Sequence, residues 1–372
     1  MGAGPIKLTY VITDLEVGGV PLHLYRLATR LPRDQFRIRV ISLAGEGPIG
    51  RRLVEAGVPV FACGARSATD VLALATLHRL LRQDRPDILH AMLFHANTAA
   101  RLIGPLAGVP AARILCEIQT AECERLWHLA VDNLTCRLCR FEIGNSPSVV
   151  EHLRRRAHIP RTRLRCVWGA VDVDAFSHAQ PLTRAELDLP LDEPVVLWTG
   201  RLDPIKGFEE MLGAFAQLIR VRPANLLLAG EGPYRPAVEG LIARHGLTGR
   251  VRLLGARHDI SRLLRGADAF LFCSRTEGLP NSVLEAMAAR LPIVATSAPG
   301  CRDLIQHGVS GLLAPVGAVD GLATNLLAVL TNRDLACHLG EAAHRWVREF
   351  ADLRTWIGTW IDLYIRCCRI GR

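Results

Sequence analysis

The stretch AFLFCSRTEGLPNSVLEAMAARLPIVATSA, residues Ala269–Ala298, carries the pattern on which the fold assignment rests. An apolar strand pattern, AFLFCS, runs into a polar turn that contains Gly278 and Pro280. The turn leads into a helix with Leu284 and Ala288 on its apolar side, and a second strand pattern, PIVATSA, follows. A strand, a helix and another strand in this order predict two parallel strands joined by a crossover helix.

The same alternation of strand and helix patterns continues along the whole chain. The strand patterns are KLTYVIT, FRIRVISLA, VPVFAC, DILHAML, ARILCEI, FEIGN and RLRCVWG in the first half, and PVVLWTG, NLLLAGEG, VRLLG, AFLFCS and PIVATSA in the second. Helix-period segments such as VPLHLYRLATRL separate them. The alternation predicts an α/β fold in which parallel sheets are covered by helices on both faces.

Two domains are expected, because 372 residues exceed what one hydrophobic core usually serves. The hexapeptide LAGEGP occurs at Leu43–Pro48 and again at Leu228–Pro233, each time between a strand and a helix pattern, which favours two similar doubly wound halves. The predicted boundaries are 1–172 for an N-terminal domain, 173–192 for a polar linker, 193–350 for a C-terminal domain and 351–372 for an amphipathic C-terminal helix.

The composition is that of a folded globular protein, with 49% hydrophobic and 22% charged residues, and excludes a disordered chain. No apolar run reaches the roughly 18 residues of a membrane span, and the start of the chain lacks a secretory signal pattern, so we expect a cytoplasmic protein. The net charge of +9 suits phosphate ligands or peripheral contact with the anionic inner leaflet of a membrane, and equally a solvated basic face. The densest basic cluster, Leu153–Arg165, lacks aromatic residues, so nucleic acid is not an expected partner.

The eleven cysteines follow neither a disulfide nor a metal-binding pattern. Their number is odd, and several of them, such as Cys63, Cys166 and Cys273, lie in apolar stretches. Cys136 and Cys139 have C-x-x-C spacing, but no second pair of this kind completes a zinc set. We therefore expect buried or half-buried thiols, no bound metal and no cofactor.

A second stretch, TGRLDPIKG at Thr199–Gly207, places Arg201 and Lys206 in a loop after an apolar strand pattern. Fixed cations stabilise the negative charge that builds on a departing diphosphate when a sugar–phosphate bond breaks. The unpaired N–H groups at the start of the helix in the first stretch form an anion site, and Glu277 and Glu285 offer carboxylates to hydroxyl groups. Together these groups predict a site for a nucleotide-diphosphate sugar.

Each of these residues also has an ordinary structural explanation. Arg201 and Lys206 are consistent with two surface cations beside a strand-to-helix turn. Ser282 and Glu285 have the spacing of a capping box, in which Glu285 accepts the backbone N–H of Ser282. Glu277 is consistent with a solvated carboxylate on a turn. The combination of the glycine-bearing turn, the glutamate spacing and the cationic loop favours the ligand site.

Several motifs follow one another along the chain: GRLDPIKG, the GEGP turn, VRLLGARHDI, ADAFLFCSRTEGLPNSVLEAMA, PIVATSAPG and HGVSGLLAP. These motifs resemble the signatures of the glycosyltransferases of family four, retaining nucleotide-sugar transferases with the GT-B fold. The resemblance covers nearly the whole chain. It implies two doubly wound Rossmann-like domains that face each other across a cleft, with the C-terminal helix packed back on the N-terminal domain. The N-terminal domain, 1–172, would lie on the acceptor side, and the C-terminal domain, 193–350, would bind the nucleotide sugar.

The resemblance also implies roles for single residues, because the family's pair of glutamates with seven intervening residues matches Glu277 and Glu285. Glu277 would bind hydroxyls of the donor sugar, and Glu285 would bind the ribose. The predicted catalytic residues are Glu277, Arg201, Lys206 and His95. The predicted donor-binding residues are Gly18 and Gly19 against the diphosphate, Gly278, Leu279, Pro280, Asn281, Ser282 and Val283 in the phosphate cradle, Glu285, and Arg257 and Ile260 near the base.

The acceptor side departs from the family pattern. Relatives commonly carry a histidine in a T-x-H-N stretch after the fifth strand, where this chain has Gln119 in CEIQTAECE. A glutamine exchanges no proton near neutral pH. His90 and His95 lie just upstream, near the strand edge where doubly wound domains bind ligands, and His95 suits an acceptor-facing role and a core role equally. The other ionisable candidates in this region are Glu117 and Glu122.

These features predict a metal-independent, retaining glycosyltransferase that moves a sugar from a nucleotide donor, with UDP-sugars favoured, to a hydroxyl of a glycan or a lipid-linked saccharide. The family resemblance implies a role in cell-surface polysaccharide synthesis and a front-face mechanism, in which the leaving phosphate oxygen takes the proton of the acceptor. No carboxylate nucleophile is then required. Two other functions suit the same architecture: a sugar-nucleotide epimerase and a non-catalytic nucleotide-sugar-binding protein.

Overall fold

The computed structural model describes residues 4–67, 69–119 and 125–369, which divide into two compact units. The N-terminal unit comprises Met1–Gly169 together with Trp356–Arg372, and the C-terminal unit comprises Ala170–Thr355. Each unit is built on one parallel β-sheet with helices between successive strands. The α/β class predicted from the alternating patterns is confirmed.

The N-terminal unit contains a seven-stranded sheet within the described residues. Its strands are β1 Ile6–Ile12, β2 Phe36–Ser42, β3 Val60–Ala62, β4 Ile88–Met92, β5 Ile114–Ile118, β6 Phe141–Gly144 and β7 Leu164–Cys166. Its first helices are α1 Gly19–Arg30, α2 Gly47–Glu55, α3 Val71–Asp84, α4 Phe94–Leu106, α5 Leu126–Thr135 and α6 Pro147–Arg156. The strand order is β3-β2-β1-β4-β5-β6-β7.

The C-terminal unit contains a six-stranded sheet. Its helices are α7 Val173–Ser177, α8 Phe208–Val221, α9 Arg235–Arg244, α10 Ile260–Gly266, α11 Asn281–Ala288, α12 Pro299–Leu304, α13 Val319–Thr331 and α14 Arg333–Phe350. Its strands are β8 Val195–Thr199, β9 Asn225–Ala229, β10 Val251–Gly255, β11 Ala269–Phe272, β12 Ile293–Thr296 and β13 Leu312–Ala314. The strand order is β10-β9-β8-β11-β12-β13, and segment 173–192 belongs to this unit.

The last helix, α15 Leu353–Arg369, places its aromatic side chains in the core of the N-terminal unit. Trp360 and Tyr364 are fully buried. The ring centroid of Trp360 lies 4.8 Å from that of His90 on β4, and the ring of Tyr364 lies 5.9 Å from that of Phe36 on β2. These rings bury a large apolar area, which fixes the helix on this unit.

In both sheets the strand order reverses beside the first strand of the unit. The reversal falls between β1 and β4 in one sheet and between β8 and β11 in the other. In open doubly wound sheets, ligands bind outside the carboxyl ends of the strands at this switch point. The loops after these four strands are therefore the places to look for a site.

Each strand pattern quoted from the sequence corresponds to an observed strand. The central strands are buried along their whole length, as in β8 and β9, because helices cover both faces of a parallel sheet. LAGEGP follows the second strand in each unit, after β2 and at the end of β9. The short strand β13 was not predicted, since its three residues are too few to show a pattern.

The described cysteines form no disulfide with one another. Cys273 is buried, but Cys166 and Cys337 are exposed, so the expected burial is wrong for these two. Cys166 lies on β7 at the edge of the sheet, where only Leu164 of the three strand residues is buried. Among the described residues no group of side chains suits a metal ion, and none of their helices is long and apolar enough to cross a bilayer.

A buried arginine holds α4, α5 and β6 together in the N-terminal unit. The Arg101 guanidinium is fully buried and lies 2.7 Å from Asp132 Oδ1 and 2.5 Å from Glu142 Oε1. Burial raises the pKa of Glu142 to about 7, against the opposing effect of Arg101. Two buried carboxyl groups therefore depend on this one cation.

We expect Arg101→Met to lower the free energy of unfolding by about 3–5 kcal/mol, because it removes the cation that faces two buried acidic groups. Urea unfolding followed by circular dichroism measures the change. Arg154→Met is the matched control, since Arg154 pairs with Glu151 on the surface of α6, and we expect it to leave stability unchanged. Equal stability of the two variants would show that the buried cluster does not hold these elements together.

Candidate functional site

The loops after β8 and β11 bring two predicted residues into contact at the switch point. Lys206 Nζ donates to Glu277 Oε1 at 2.6 Å, although the residues lie 71 positions apart in the chain. Their side chains are only 19% and 14% exposed. The ion pair is thus largely shielded from water, and charge interactions are stronger in such surroundings than on the open surface.

The loop that carries Lys206 is held against the end of β11 by a glycine. Gly207 has φ +67, and a Cβ at this position would lie 2.1 Å from the carbonyl oxygen of Cys273. No other residue fits such an approach without moving the backbone. The glycine lets the Pro204–Lys206 turn lie directly on the Cys273 backbone, which places Lys206 opposite Glu277.

The turn that carries Glu277 is fixed from several sides. Ser274 Oγ donates to the carbonyl of Ile205 at 3.2 Å, and Thr296 Oγ1 on β12 donates to the carbonyl of Ser274 at 2.5 Å. Gly300 donates its backbone N–H to the carbonyl of Glu277 at 3.2 Å. These bonds position the carboxylate through its own backbone, so the geometry exists before a ligand binds.

The helix after this turn begins two residues earlier than a capping box requires. Its N-cap is Pro280, and α11 starts at Asn281, so Ser282 is the second helical residue and Glu285 the fifth. The capping-box explanation of Glu285 is wrong, because that motif needs Ser282 at the N-cap. The half-buried Glu285 side chain therefore lies beyond the first turn of the helix.

The start of α11 presents backbone donors. Val283 and Leu284 donate their N–H groups to the carbonyl of Pro280 at 3.0 and 3.3 Å. In the part of the chain that the structure describes, Asn281 and Ser282 have no backbone acceptor for theirs. N–H groups at a helix start, with the positive end of the helix dipole, attract phosphate.

The other predicted cations of this unit pair with neighbouring aspartates rather than with Glu277. Arg201 lies 2.7 Å from Asp203, and its side chain is 70% exposed. Arg257 makes two hydrogen bonds to Asp259, at 2.8 and 2.6 Å, immediately before Ile260 opens α10. Both arginines follow carboxyl ends of strands, β8 and β10 respectively.

The glycine pair of the N-terminal unit lies where β1 leads into α1. Gly18 is the N-cap of α1 with extended backbone angles, φ −168 and ψ 171, and Gly19 is the first helical residue. A Cβ at Gly18 would meet only the Cδ of Pro21, at an ordinary 3.6 Å. The turn itself therefore does not demand a glycine at position 18.

His95 is the second residue of α4, directly after β4 and the switch point. Leu93, before the helix, has φ +74, a costly conformation for a branched residue, and this sharp turn starts α4 at Phe94. The half-buried His95 lines a cavity of about 410 Å³ with Thr13 after β1. Burial, together with His128 and Arg125, lowers the pKa of His95, so its imidazole is mainly neutral near pH 7.

His90 and Glu117 lie in the core rather than at an open edge. His90 Nε2 is 3.3 Å from Glu117 Oε2, and His23 Nε2 is 3.0 Å from Glu117 Oε1. Burial alone would raise the pKa of Glu117, but the two imidazoles lower it below its usual range. Gln119 Nε2 donates to Glu117 Oε1 at 2.9 Å, so the buried carboxylate orients the glutamine. Glu122 lies outside the described residues.

Sequence reasoning missed the groups that support these residues. Thr296 and Gly300 gave no signal of contact with the Glu277 turn. The hydroxyl of Tyr364 lies 2.9 Å from His90 Nδ1, a contact between residues 274 positions apart. Such contacts depend on which elements the fold brings together, and the spacing of residues along the chain does not predict them.

Two protein families match this chain. Residues 17–175 match the family described as Glycosyltransferase Family 4, and residues 193–332 match the family described as Glycosyl transferases group 1. The two matches fall on successive parts of the chain. The first covers most of the N-terminal unit and the first residues of the C-terminal unit, and the second lies within the C-terminal unit.

Curated relatives match this chain over part of their own length. A lipopolysaccharide core biosynthesis glycosyltransferase, LpsE of Rhizobium meliloti, is 34% identical over 161 residues, which cover 43% of this chain and 46% of LpsE. A GDP-mannose-dependent alpha-(1-6)-phosphatidylinositol monomannoside mannosyltransferase of Mycobacterium tuberculosis is 31% identical over 201 residues, 50% of this chain and 52% of that protein. The chain thus spans about half the length of these curated relatives.

A solved structure matches over nearly the whole chain. The crystal structure of HepE from Anabaena in complex with UDP superposes with a TM-score of 0.85 and 22% sequence identity, covering 96% of this chain and 99% of HepE. A similarity at this level of identity shows the shared fold.

Proposed function

We propose, since this chain belongs to the family 4 (group 1) glycosyltransferases with the GT-B fold, that it transfers a hexose from a nucleotide-diphosphate sugar to a hydroxyl of a saccharide or a lipid-linked saccharide. UDP-sugars are the favoured donors, and cell-surface polysaccharide synthesis is the favoured setting. The observation that carries the proposal is the Lys206–Glu277 pair beside the start of α11.

The pair offers both charges that a nucleotide-sugar donor requires. The ammonium of Lys206 stabilises negative charge as it develops on the leaving diphosphate, and the N–H groups of Asn281 and Ser282 add donors to the same anion. The Glu277 carboxylate accepts hydrogen bonds from sugar hydroxyls. Because Lys206 holds Glu277 at 2.6 Å, the sugar and the diphosphate are bound by neighbouring groups.

The proposed reaction needs no protein nucleophile. The bond between the anomeric carbon and the β-phosphate oxygen breaks, and the acceptor oxygen forms a bond to that carbon on the same face. The acceptor proton passes to the departing phosphate oxygen, so charge and atoms balance and the anomeric configuration is retained. Lys206 and the start of α11 lower the barrier by stabilising the phosphate, where the negative charge collects.

The remaining predicted residues take supporting roles in this proposal. Arg201, which is exposed beside Asp203, binds the diphosphate when a donor is present. Glu285 binds the ribose, while Arg257 and Ile260 border the base. The neutral imidazole of His95 faces the acceptor hydroxyl at the switch point of the N-terminal unit.

The names of similar proteins support the choice of donor and setting. HepE of Anabaena has been crystallised with UDP and with UDP-glucose, which favours a UDP-sugar. The mycobacterial relative is named for GDP-mannose and a phosphatidylinositol acceptor, and LpsE is named for the lipopolysaccharide core. These names favour an acceptor at a cell envelope, and the net charge of +9 suits peripheral contact with its anionic inner leaflet.

The experiment that tests the proposed function incubates the protein with UDP-, GDP- and ADP-sugars and detects the nucleoside diphosphate released, with and without EDTA. We expect slow release from a UDP-hexose, because transferases hydrolyse donor when no acceptor is present, and no effect of the chelator. No release from any donor of the panel would contradict a transferase. Release abolished by EDTA would contradict the metal-independent mechanism.

We expect Gly18→Ala to raise KM for the donor about tenfold or more while leaving the melting temperature unchanged. The added methyl group has room in the protein, so it interferes only with a ligand that approaches the backbone at this position. Gly45→Ala is the control, because a Cβ at Gly45 meets no atom within 4 Å. Thermal melting and steady-state kinetics measure the two effects, and an unchanged KM would exclude Gly18 from the donor site.

A further inference from the structure

The cavity beside His95, here called the α4 cavity, is lined mostly by apolar side chains, the aromatic rings of Phe94 and Trp127 among them. It lies in the N-terminal unit between α3, α4 and α5, at the switch point between β1 and β4. Its volume of about 410 Å³ is within the range of small-molecule sites. No step of the proposed reaction accounts for its aliphatic part.

One face of α4 runs along the cavity and changes character from end to end. His95, Thr98, Ala99, Leu102 and Ile103 all line it, and their spacing of three and four residues puts them on one side of the helix. Phe94, the first residue of α4, lines the cavity with an aromatic ring. On the face that starts at His95, the first two residues are polar and the next three are aliphatic. At a rise of 1.5 Å per residue, the stripe extends about 12 Å.

The opposite walls repeat this arrangement. Thr13, which accepts the backbone N–H of Ala96 at 3.3 Å, lines the cavity near His95, while Leu74 on α3 and Val131 on α5 line it farther along their helices. Asp70 also lines the cavity, but its carboxylate caps α3 by accepting the N–H groups of Leu72 and Ala73. Arg66, Ser67 and Thr69, between β3 and α3, line it as well. The polar lining therefore comes from the segments after the carboxyl ends of β1 and β3 and from the first turns of α4.

The aliphatic stripe continues onto the surface. Leu102 is 47% exposed, and Leu106, one turn farther along α4, is 71% exposed. Exposed leucines in line with an apolar cavity leave a path for a hydrocarbon that is longer than the cavity. A compact or planar ligand would not use this path.

From this geometry we infer that the α4 cavity binds the aliphatic chain of the acceptor, with the reacting hydroxyl held at the His95 end and the chain lying along α4 towards Leu106. The acceptor is thus an amphiphile rather than a free sugar. This inference rests on the proposed function, because it specifies the acceptor of that reaction. Burial of each methylene contributes to binding, so affinity rises with chain length until the chain leaves the cavity.

The test measures binding of methyl, hexyl and octyl glucoside to the full chain by calorimetry, below micelle-forming concentrations and without donor. We expect affinity to rise about fourfold for each methylene that is buried. Equal affinity for the three glucosides, or binding of phenyl glucoside as tight as that of octyl glucoside, would overturn the assignment.

Two variants localise the effect. Ala99→Phe fills the cavity from the buried face of α4, and Leu102→Gln makes its outer part polar without disturbing the core. We expect both to weaken octyl glucoside at least tenfold and to leave methyl glucoside unchanged. Leu134→Gln is the matched control, because Leu134 is an exposed leucine of α5 outside the cavity lining. Unchanged octyl glucoside affinity in Leu102→Gln would count against the inference even if Ala99→Phe fails to fold.

Membrane lipids are the other source of aliphatic chains. If Leu102→Gln abolishes sedimentation with phosphatidic acid vesicles but leaves octyl glucoside binding intact, this surface is a membrane contact and the acceptor assignment is wrong. A failure of the proposed function is distinguished from a failure of this inference, because only the former abolishes release of the nucleoside diphosphate from the donor. Release that is stimulated equally by glucose and octyl glucoside would keep the transferase and overturn the α4 cavity as the acceptor site.

Discussion

Glu277→Gln is expected to lower kcat/KM for donor turnover about 100- to 1,000-fold while changing the affinity for UDP less than tenfold. Glutamine has almost the same shape as glutamate but carries no negative charge. It therefore accepts hydrogen bonds from sugar hydroxyls more weakly, and it forms no ion pair with Lys206, which lies 2.6 Å from Glu277 Oε1. In the proposed site Glu277 binds the sugar and not the diphosphate. Calorimetry with UDP and kinetics with the UDP-sugar separate these two contributions.

Glu341→Gln is the matched control for this result. Glu341 is an exposed glutamate of α14 in the same unit, paired with Arg290 at 3.3 Å, and we expect its replacement to leave turnover unchanged. If Glu277→Gln turns over donor at the wild-type rate, Glu277 is a structural partner of Lys206 and the assignment of the sugar site is wrong.

Lys206→Met is expected to lower kcat about 100- to 1,000-fold and, unlike Glu277→Gln, to weaken UDP binding clearly. The substitution keeps much of the aliphatic stem but removes the cation that the proposal places on the leaving diphosphate. It also leaves the largely buried Glu277 carboxylate without its ion-pair partner. The negative charge of that carboxylate then repels the phosphates. Kinetics and UDP calorimetry on the same preparations test both effects.

Arg275→Met provides the comparison for Lys206→Met. Arg275 lies on the same turn as Glu277, but it pairs with Glu210 at 2.8 Å and is 54% exposed. We expect it to retain turnover, and we expect Lys206→Arg to retain more activity than Lys206→Met because the charge is kept. Equal losses in Arg275→Met and Lys206→Met would mean that any damage to this turn lowers activity.

The sequence specified the fold class well because parallel strands leave a strong local signal. The β8 and β9 patterns are continuous apolar runs, as burial on both faces requires. The path of α15 was less accessible to local reasoning. Its position depends on Trp360 and Tyr364 meeting His90 and Phe36, residues that lie more than two hundred positions away in the chain.

The candidate site shows the same division. Lys206 and Glu277 were recognisable from their motifs, because each follows a strand and lies in a glycine-bearing turn. That Lys206 touches Glu277, while Arg201 turns to Asp203, follows from side-chain packing that no spacing encodes. The capping box failed for a similar reason: Pro280 takes the N-cap position, and the helix begins one residue before Ser282.

The configuration of the sugar released from a UDP-α-hexose, followed by proton NMR from the first minutes, tests the proposed mechanism most directly. We predict that the α-anomer appears first, together with an equal amount of UDP, and that EDTA changes neither. Initial release of the β-anomer would contradict retention. A new stereoisomer with its diphosphate still attached would identify an epimerase, and a donor that binds but stays intact would identify a binding protein.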